Sequence, residues 1–237
     1  MSRDRSGDRP KTAAELMAEL RQDPEYIARE RWRQQQEQEN AQLYARAAEP
    51  VLADLEEDGF HVQTVGELRQ RADYRAAIPS LVRWLPQVSY LPLKEDIVRT
   101  LSVPWARPMA GRVLIEEFRR TDDRTGTGLR WAIANALEVV ADDDVLDEVI
   151  QLVRDPECGR AREMLTVALA NMKSPRVVSV LRDLLRDDEV VGHAAMALGK
   201  LGVPAALPDL EALTKHPKEW VRREATKALA KIKSRHV

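Results

Sequence analysis

The chain has 237 residues, enough for one sizeable domain or two small ones with an adequate core. It is 44% hydrophobic but only 5% aromatic, so a core must be built from Leu, Val, Ile and Ala, a mixture that suits close helix packing. Charged residues reach 32% yet nearly cancel to a net −2, which argues against the strongly basic footprint of a typical nucleic-acid-binding domain.

The first ten residues, MSRDRSGDRP, are polar and carry no apolar core of a secretory leader; a disordered tail is expected over 1–11. No stretch approaches the roughly 18 apolar residues of a membrane span. With a single cysteine, Cys158, no internal disulfide is possible, and a cytoplasmic location is expected. TAAELMAEL opens on a Thr-x-x-Glu capping box and predicts a helix over about 12–22, stopped at Asp23-Pro24. A second helix should follow from Pro24 to just before Gly59. Between Trp32 and Leu43 its only non-polar residue is Ala41, so this Gln/Glu-rich stretch is largely solvated or awaits a partner. Residues 12–60 thus read as a non-repeat helical cap. TVGEL at 64–68 carries another Thr-x-x-Glu box and is expected to begin the first helix of an early hairpin. DYRAAIPSLVRWLPQ reads as the second helix of a hairpin, with Asp73 as N-cap and Pro79 bending it.

From there a repeat takes over. In VVGHAAMALGKLG, Val190, Ala194, Ala197, Leu198 and Leu201 line one helical face. Gly202 supplies a left-handed C-cap, and Pro204 stands where a first-turn proline loses no hydrogen bond. A second helix follows through Leu207, Leu210 and Leu213. The Ala-Leu pair recurs at Ala136-Leu137, Ala168-Leu169, Ala197-Leu198 and Ala228-Leu229, at spacings of 32, 29 and 31, with Thr100-Leu101 as a degenerate copy 36 earlier. Leu152, Leu184 and Leu213 each follow their pair's leucine by 15 residues. Two anchors at nearly constant offsets define tandem αα-hairpins, none of which can bury its apolar face alone. Asp144 and Ser174-Pro175 are the expected helix starts of two second helices.

The stretch DDEVVGHAAMALGKLGVPAALPDLEALTKHPKEWVRREATKALAKI resembles bacterial HEAT-like repeats of the phycobilisome-lyase type, closely over 187–233 and more loosely back to about 94. It departs at Gly192-His193, where the pattern has Val-Arg, and over 155–172, which lacks the pattern's glycines. The resemblance implies an all-α, short α-solenoid of stacked antiparallel helix pairs over 61–237. It implies no single activity, because the repeat serves lyases and scaffolds alike.

Candidate chemistry is sparse. DRTGTGLR at 123–130 lacks the lysine and preceding strand of a phosphate-binding loop and reads as a flexible inter-repeat linker. ADDDVLDE at 141–148 puts acids in a helix's first turn, where the macrodipole favours them without a metal. His61, His193, His216 and His236 show no metal-ligand spacing. Arg154, Arg186 and Lys215 each stand two residues after an aligned second-helix leucine and would form a basic rail, extended by Arg120; cations at helix C-termini explain the same recurrence. Arg130, Arg162 and Arg222 stand seven before their leucines, and Asp123 and Asp155 seven before the first two arginines, which suggests an Asp–Arg ladder. Trp84, Trp105 and Trp131, if they share one face, would be aromatic anchors for a partner.

The expected function is a non-catalytic protein-binding module, with Trp84, Trp105, Trp131, Arg154, Arg186 and Lys215 as its partner-binding residues and no cofactor or metal. The resemblance also admits a bilin lyase or isomerase, or a DNA-binding repair protein. The mixed signs of the second helices weigh against nucleic acid.

Overall fold

The computed structural model describes residues 11–235, so the expected tail lies almost wholly outside the described residues, as does His236. Among the described residues there are helices and 3-10 turns and no strand. The chain divides into two compact units, Met1–Arg46 and Ala47–Val237.

In the first unit, α1 (Ala13–Leu20) starts on a complete capping box. The Glu15 N–H donates to Thr12 Oγ1 at 3.3 Å, and the Thr12 N–H to Glu15 Oε2 at 2.9 Å. Helix α2 (Pro24–Glu57) begins on an Asp23 carboxylate that accepts from the Glu25 N–H. Up to Arg46 none of its residues is buried and most are exposed, Trp32 and Leu43 included, in keeping with a Gln/Glu-rich stretch.

The last turns of α2 belong to the second unit, where Ala48, Val51 and Leu55 are buried. Pro50 lies inside the helix and cannot donate to the carbonyl four residues back. Gly59, at φ +89°, ends α2, and the Phe60 N–H closes back on the Leu55 carbonyl.

Beyond Phe60 the chain builds a two-layer stack. One layer holds a 3-10 turn (Val65–Gln70), then α4 (Leu91–Leu101), α6 (Leu129–Val140), α8 (Ala161–Ala168), α10 (Val191–Leu201) and the closing α12 (Glu219–Arg235). The other holds α3 (Ile78–Trp84), α5 (Arg107–Arg120), α7 (Leu146–Arg154), α9 (Arg176–Leu184) and α11 (Leu207–Leu213). Each first-layer helix packs on its layer neighbours and on the second-layer helix that precedes it, α5 on α6, α7 on α8, α9 on α10 and α11 on α12, which is how a repeat buries an apolar face that it cannot cover alone. The Ala-Leu pairs are core: Ala136, Leu137, Ala168, Leu169, Ala197 and Leu198 are fully buried.

The corner between α10 and α11 forms as the sequence predicts. Gly202 adopts φ +74°, ψ +35°, and Pro204 opens a 3-10 turn that runs into α11. Gly202→Ala should cost about 1–2 kcal/mol, because a side chain at positive φ is strained. Urea unfolding with an unchanged slope would check this.

Several local expectations are corrected. Asp144 does not cap α7; Asp142 accepts from the Asp144 N–H and starts a 3-10 turn from which α7 continues. Thr64 makes no cap bond, and TVGEL forms a 3-10 turn instead of an α-helix. Pro79 sits in the first turn of α3 and does not bend it. Counted back from Leu198 and Leu229, the position of Val221-Arg222 falls on Val190-Val191 and not on Gly192-His193. Gly199 shows why glycine follows Ala197-Leu198: a Cβ there would lie 2.7 Å from Ala228 Cα, so α10 and α12 touch backbone to side.

Candidate functional site

The stack is held by polar contacts from each repeat to the next. The Asp123 carboxylate accepts from the backbone N–H groups of Gly126, Gly128 and Arg130 and from Thr125 Oγ1. Burial works against its ionisation, but these donors outweigh it and hold the carboxyl below its usual range. DRTGTGLR is therefore not a free linker. Its Gly126 and the facing Gly159 have positive φ, and a Cβ on either would lie within 2.8 Å of the other loop's backbone, so two successive inter-repeat loops lie in contact there.

The arginine positions reach forward into the next repeat. The Arg130 guanidinium donates to the carbonyl of Glu157. Arg162, only 3% exposed, donates to Glu189 at 2.7 Å, to Asp187, and back to the Val153 carbonyl at 2.8 Å. Asp155 is not its partner; that carboxylate instead accepts from the Glu157 N–H. In the acidic stretch, Asp143 accepts from the N–H groups of Lys173 and Ser174 in the following repeat, and Asp147 pairs with Arg176. Among the described residues no His, Cys, Asp and Glu side chains gather as a metal site.

A cleft of about 550 Å³ opens where the loops ahead of α8, α10 and α12 converge. Its walls include Gly159, Glu163, Asp188, His193, Lys218 and Trp220. The Trp220 ring packs on Gly192, where a Cβ would lie only 2.2 Å from a ring carbon, and its centroid is 5.0 Å from that of His193. Gly192-His193 is thus a fitted seat for an aromatic ring one repeat later. Burial lowers the His193 pKa, against the pull of the Glu163 carboxylate 3.7 Å from Nε2, and Nδ1 is buried without a hydrogen-bond partner. Arg160 pairs with Glu163 at 3.0 Å and lies over the Trp131 ring at 5.5 Å.

The residues singled out from sequence are dispersed. Trp84, on α3, donates to Asp54 of α2. Trp105 stands in the 3-10 turn before α5, edge-on to Tyr74 at 5.5 Å with Arg75 over its ring. Trp131 lies on α6 beneath Arg160 at the border of the cleft. Of the rail, Arg154 is 3.6 Å from Asp183, and the neighbouring Arg182 pairs with Asp209 at 2.6 Å. Arg186 lines a second groove, of about 430 Å³, between α9 and α11, and Lys215 follows α11 on the surface. The second-layer edge therefore mixes signs along its length. Sequence spacing missed Trp220, His193 and Asp188; a glycine at 192, inside the first turn of α10, was the available signal.

Cys158 is buried, and burial first, then Asp155, pushes its thiol up to about 11. At about pH 8 its reaction with a disulfide reagent should run roughly 100-fold or more below that of a free thiol, and recover on unfolding. A thiol count with and without denaturant reads this directly.

Stacked helix pairs with recurrent inter-repeat contacts define an α-solenoid of the HEAT class. The family model for HEAT repeats matches residues 112–191 and 187–237, and the chain belongs to this family. No curated protein matches it.

Proposed function

We propose that this chain is a non-catalytic protein-binding module that presents partner surfaces on a HEAT-repeat stack. The observation that carries this reading is the cleft at the converging loops. It combines an aromatic wall and a charged rim with side chains held in place from three successive repeats. Such a surface is suited to gripping a partner. Arg154, Arg186 and Lys215 at the second-layer edge, with Trp84, Trp105 and Trp131, remain proposed contacts. Within the family we place the chain with the bacterial, phycobilisome-lyase-type repeats, on the ALGKLGVPAALPDLEAL stretch. A cytoplasmic setting accords with its single buried cysteine. The bilin lyase and DNA-repair readings draw less support: the one thiol is buried with a raised pKa, and Arg154 and Arg182 face Asp183 and Asp209 instead of a bare groove.

The test is in-cell photo-crosslinking. A benzophenone amino acid would be placed in turn at Lys218 in the cleft, Arg186 in the second groove and Trp32 on α2. A discrete crosslinked protein from at least one position is expected. No adduct at any position, with a bilin or nucleic acid co-purifying instead, would overturn the proposal.

A further inference from the structure

The cleft's balance of engaged and unengaged charge narrows the kind of partner, and this step rests on the protein-binding reading above. Its cations each have a partner: Lys218 Nζ donates to the Asp188 carbonyl at 2.7 Å, and Arg160, itself 65% exposed, pairs with Glu163 and lies over the Trp131 ring. Asp188 is the acid with the least engaged carboxylate. The Asp188 carboxylate is 86% exposed, with the His216 Nε2 at 3.9 Å. Glu189 gives Oε2 to Arg162 but remains 68% exposed, with Oε1 free of protein hydrogen bonds. Burial holds His193 towards its neutral form, so it adds no opposing charge near pH 7. Beside these carboxylates stands the half-buried Trp220 ring, fixed by the absence of a side chain at Gly192.

We propose that the cleft receives an arginine side chain from a basic segment of a partner protein. A planar guanidinium can lie against the Trp220 ring and fork its N–H donors onto Asp188 and Glu189, a geometry that an ammonium matches less well. The volume of about 550 Å³ exceeds what one guanidinium fills and leaves room for the flanking backbone, which favours a chain segment over a free amino acid.

The test uses the full chain and fluorescein-labelled glycine-serine peptides carrying one arginine, lysine, citrulline or glutamate, read by fluorescence anisotropy at low salt. Location is read from the Trp220 indole and His193 ring signals in NMR. Asp188→Lys is the reporting variant, since that side chain is exposed and the fold does not lean on it; an unchanged melting curve checks this. Expected is binding in the order arginine, lysine, then citrulline and glutamate at least tenfold weaker. Asp188→Lys should weaken the arginine peptide tenfold or more, and the Trp220 and His193 signals should move. Citrulline binding as tightly as arginine, an unaffected Asp188→Lys, shifts located elsewhere, or no binding of any peptide would each overturn the proposal. Free arginine or spermidine binding as tightly as the peptide would overturn it in favour of a small-cation site. A crosslinked partner that Asp188→Lys leaves in place would defeat this inference while the protein-binding module stands.

Discussion

Lys94→Met is expected to destabilise the repeat unit by about 3–5 kcal/mol, among the largest effects of any single surface-distant substitution. Lys94 on α4 meets Glu117 on α5 at 2.5 Å, with side chains only 14% and 4% exposed. Glu117 Oε2 makes no protein hydrogen bond, so Lys94 is the carboxyl group's main support. Removing the cation leaves that group buried without its partner, and the loss is chiefly this desolvation, not the attraction itself. The double variant Lys94→Met/Glu117→Leu separates the two. It should recover most of the lost stability, because an apolar pair of similar volume needs no compensation. Urea unfolding of the four proteins gives the coupling directly. If the double variant is as unstable as the single, packing and not charge is the cause.

Arg162→Met should cost about 2–4 kcal/mol, less than a fully enclosed pair would, because Asp187 and Glu189 keep 31% and 68% of their side chains in solvent. The substitution strips the Val153 carbonyl of its donor and unlinks α8 from the loop that leads into α10. The effect should also depend on pH. Burial opposes ionisation of Asp187, but the hydrogen bonds from Arg162 and the Glu189 N–H outweigh it and lower its pKa. A carboxyl depressed in the folded state adds stability that is full above its unfolded pKa, about 4, and is lost as pH falls through the lower folded value. The wild type should therefore lose this increment below about pH 4, whereas Arg162→Met, having lost it already, should show a shallower acid limb. Parallel acid limbs for the two proteins would show that Arg162 does not act through Asp187.

Both predictions concern contacts between repeats, and that is where reading the chain runs short. Helix starts and stops are local: the Thr12–Glu15 box and the Gly202 cap each need a few neighbouring residues, and both form as expected. The exceptions, Asp144 and Thr64, fail because a 3-10 turn takes the place of an α-helical first turn. The Asp–Arg ladder forms at its first rung, where the Asp123 carboxylate accepts from the Arg130 N–H, and takes different acids at the second. Spacing offers Asp155, inside the same repeat, whereas the stacking brings Asp187 and Glu189 to Arg162. DRTGTGLR reads as slack because glycine-rich segments usually are; here Gly126 and Gly159 let two loops touch.

The pattern of Ala-Leu pairs, leucines and glycine-proline corners was sufficient by itself for an all-α stack of hairpins, because helix periodicity and capping are properties of adjacent residues. Which charges pair across repeats, why Gly192 lacks a side chain, and that Trp220, His193 and Asp188 border one cleft were decided only in three dimensions. Residues about thirty apart in the chain become neighbours through the rotation and offset of each hairpin on the last, and those depend on the packing of whole helix faces.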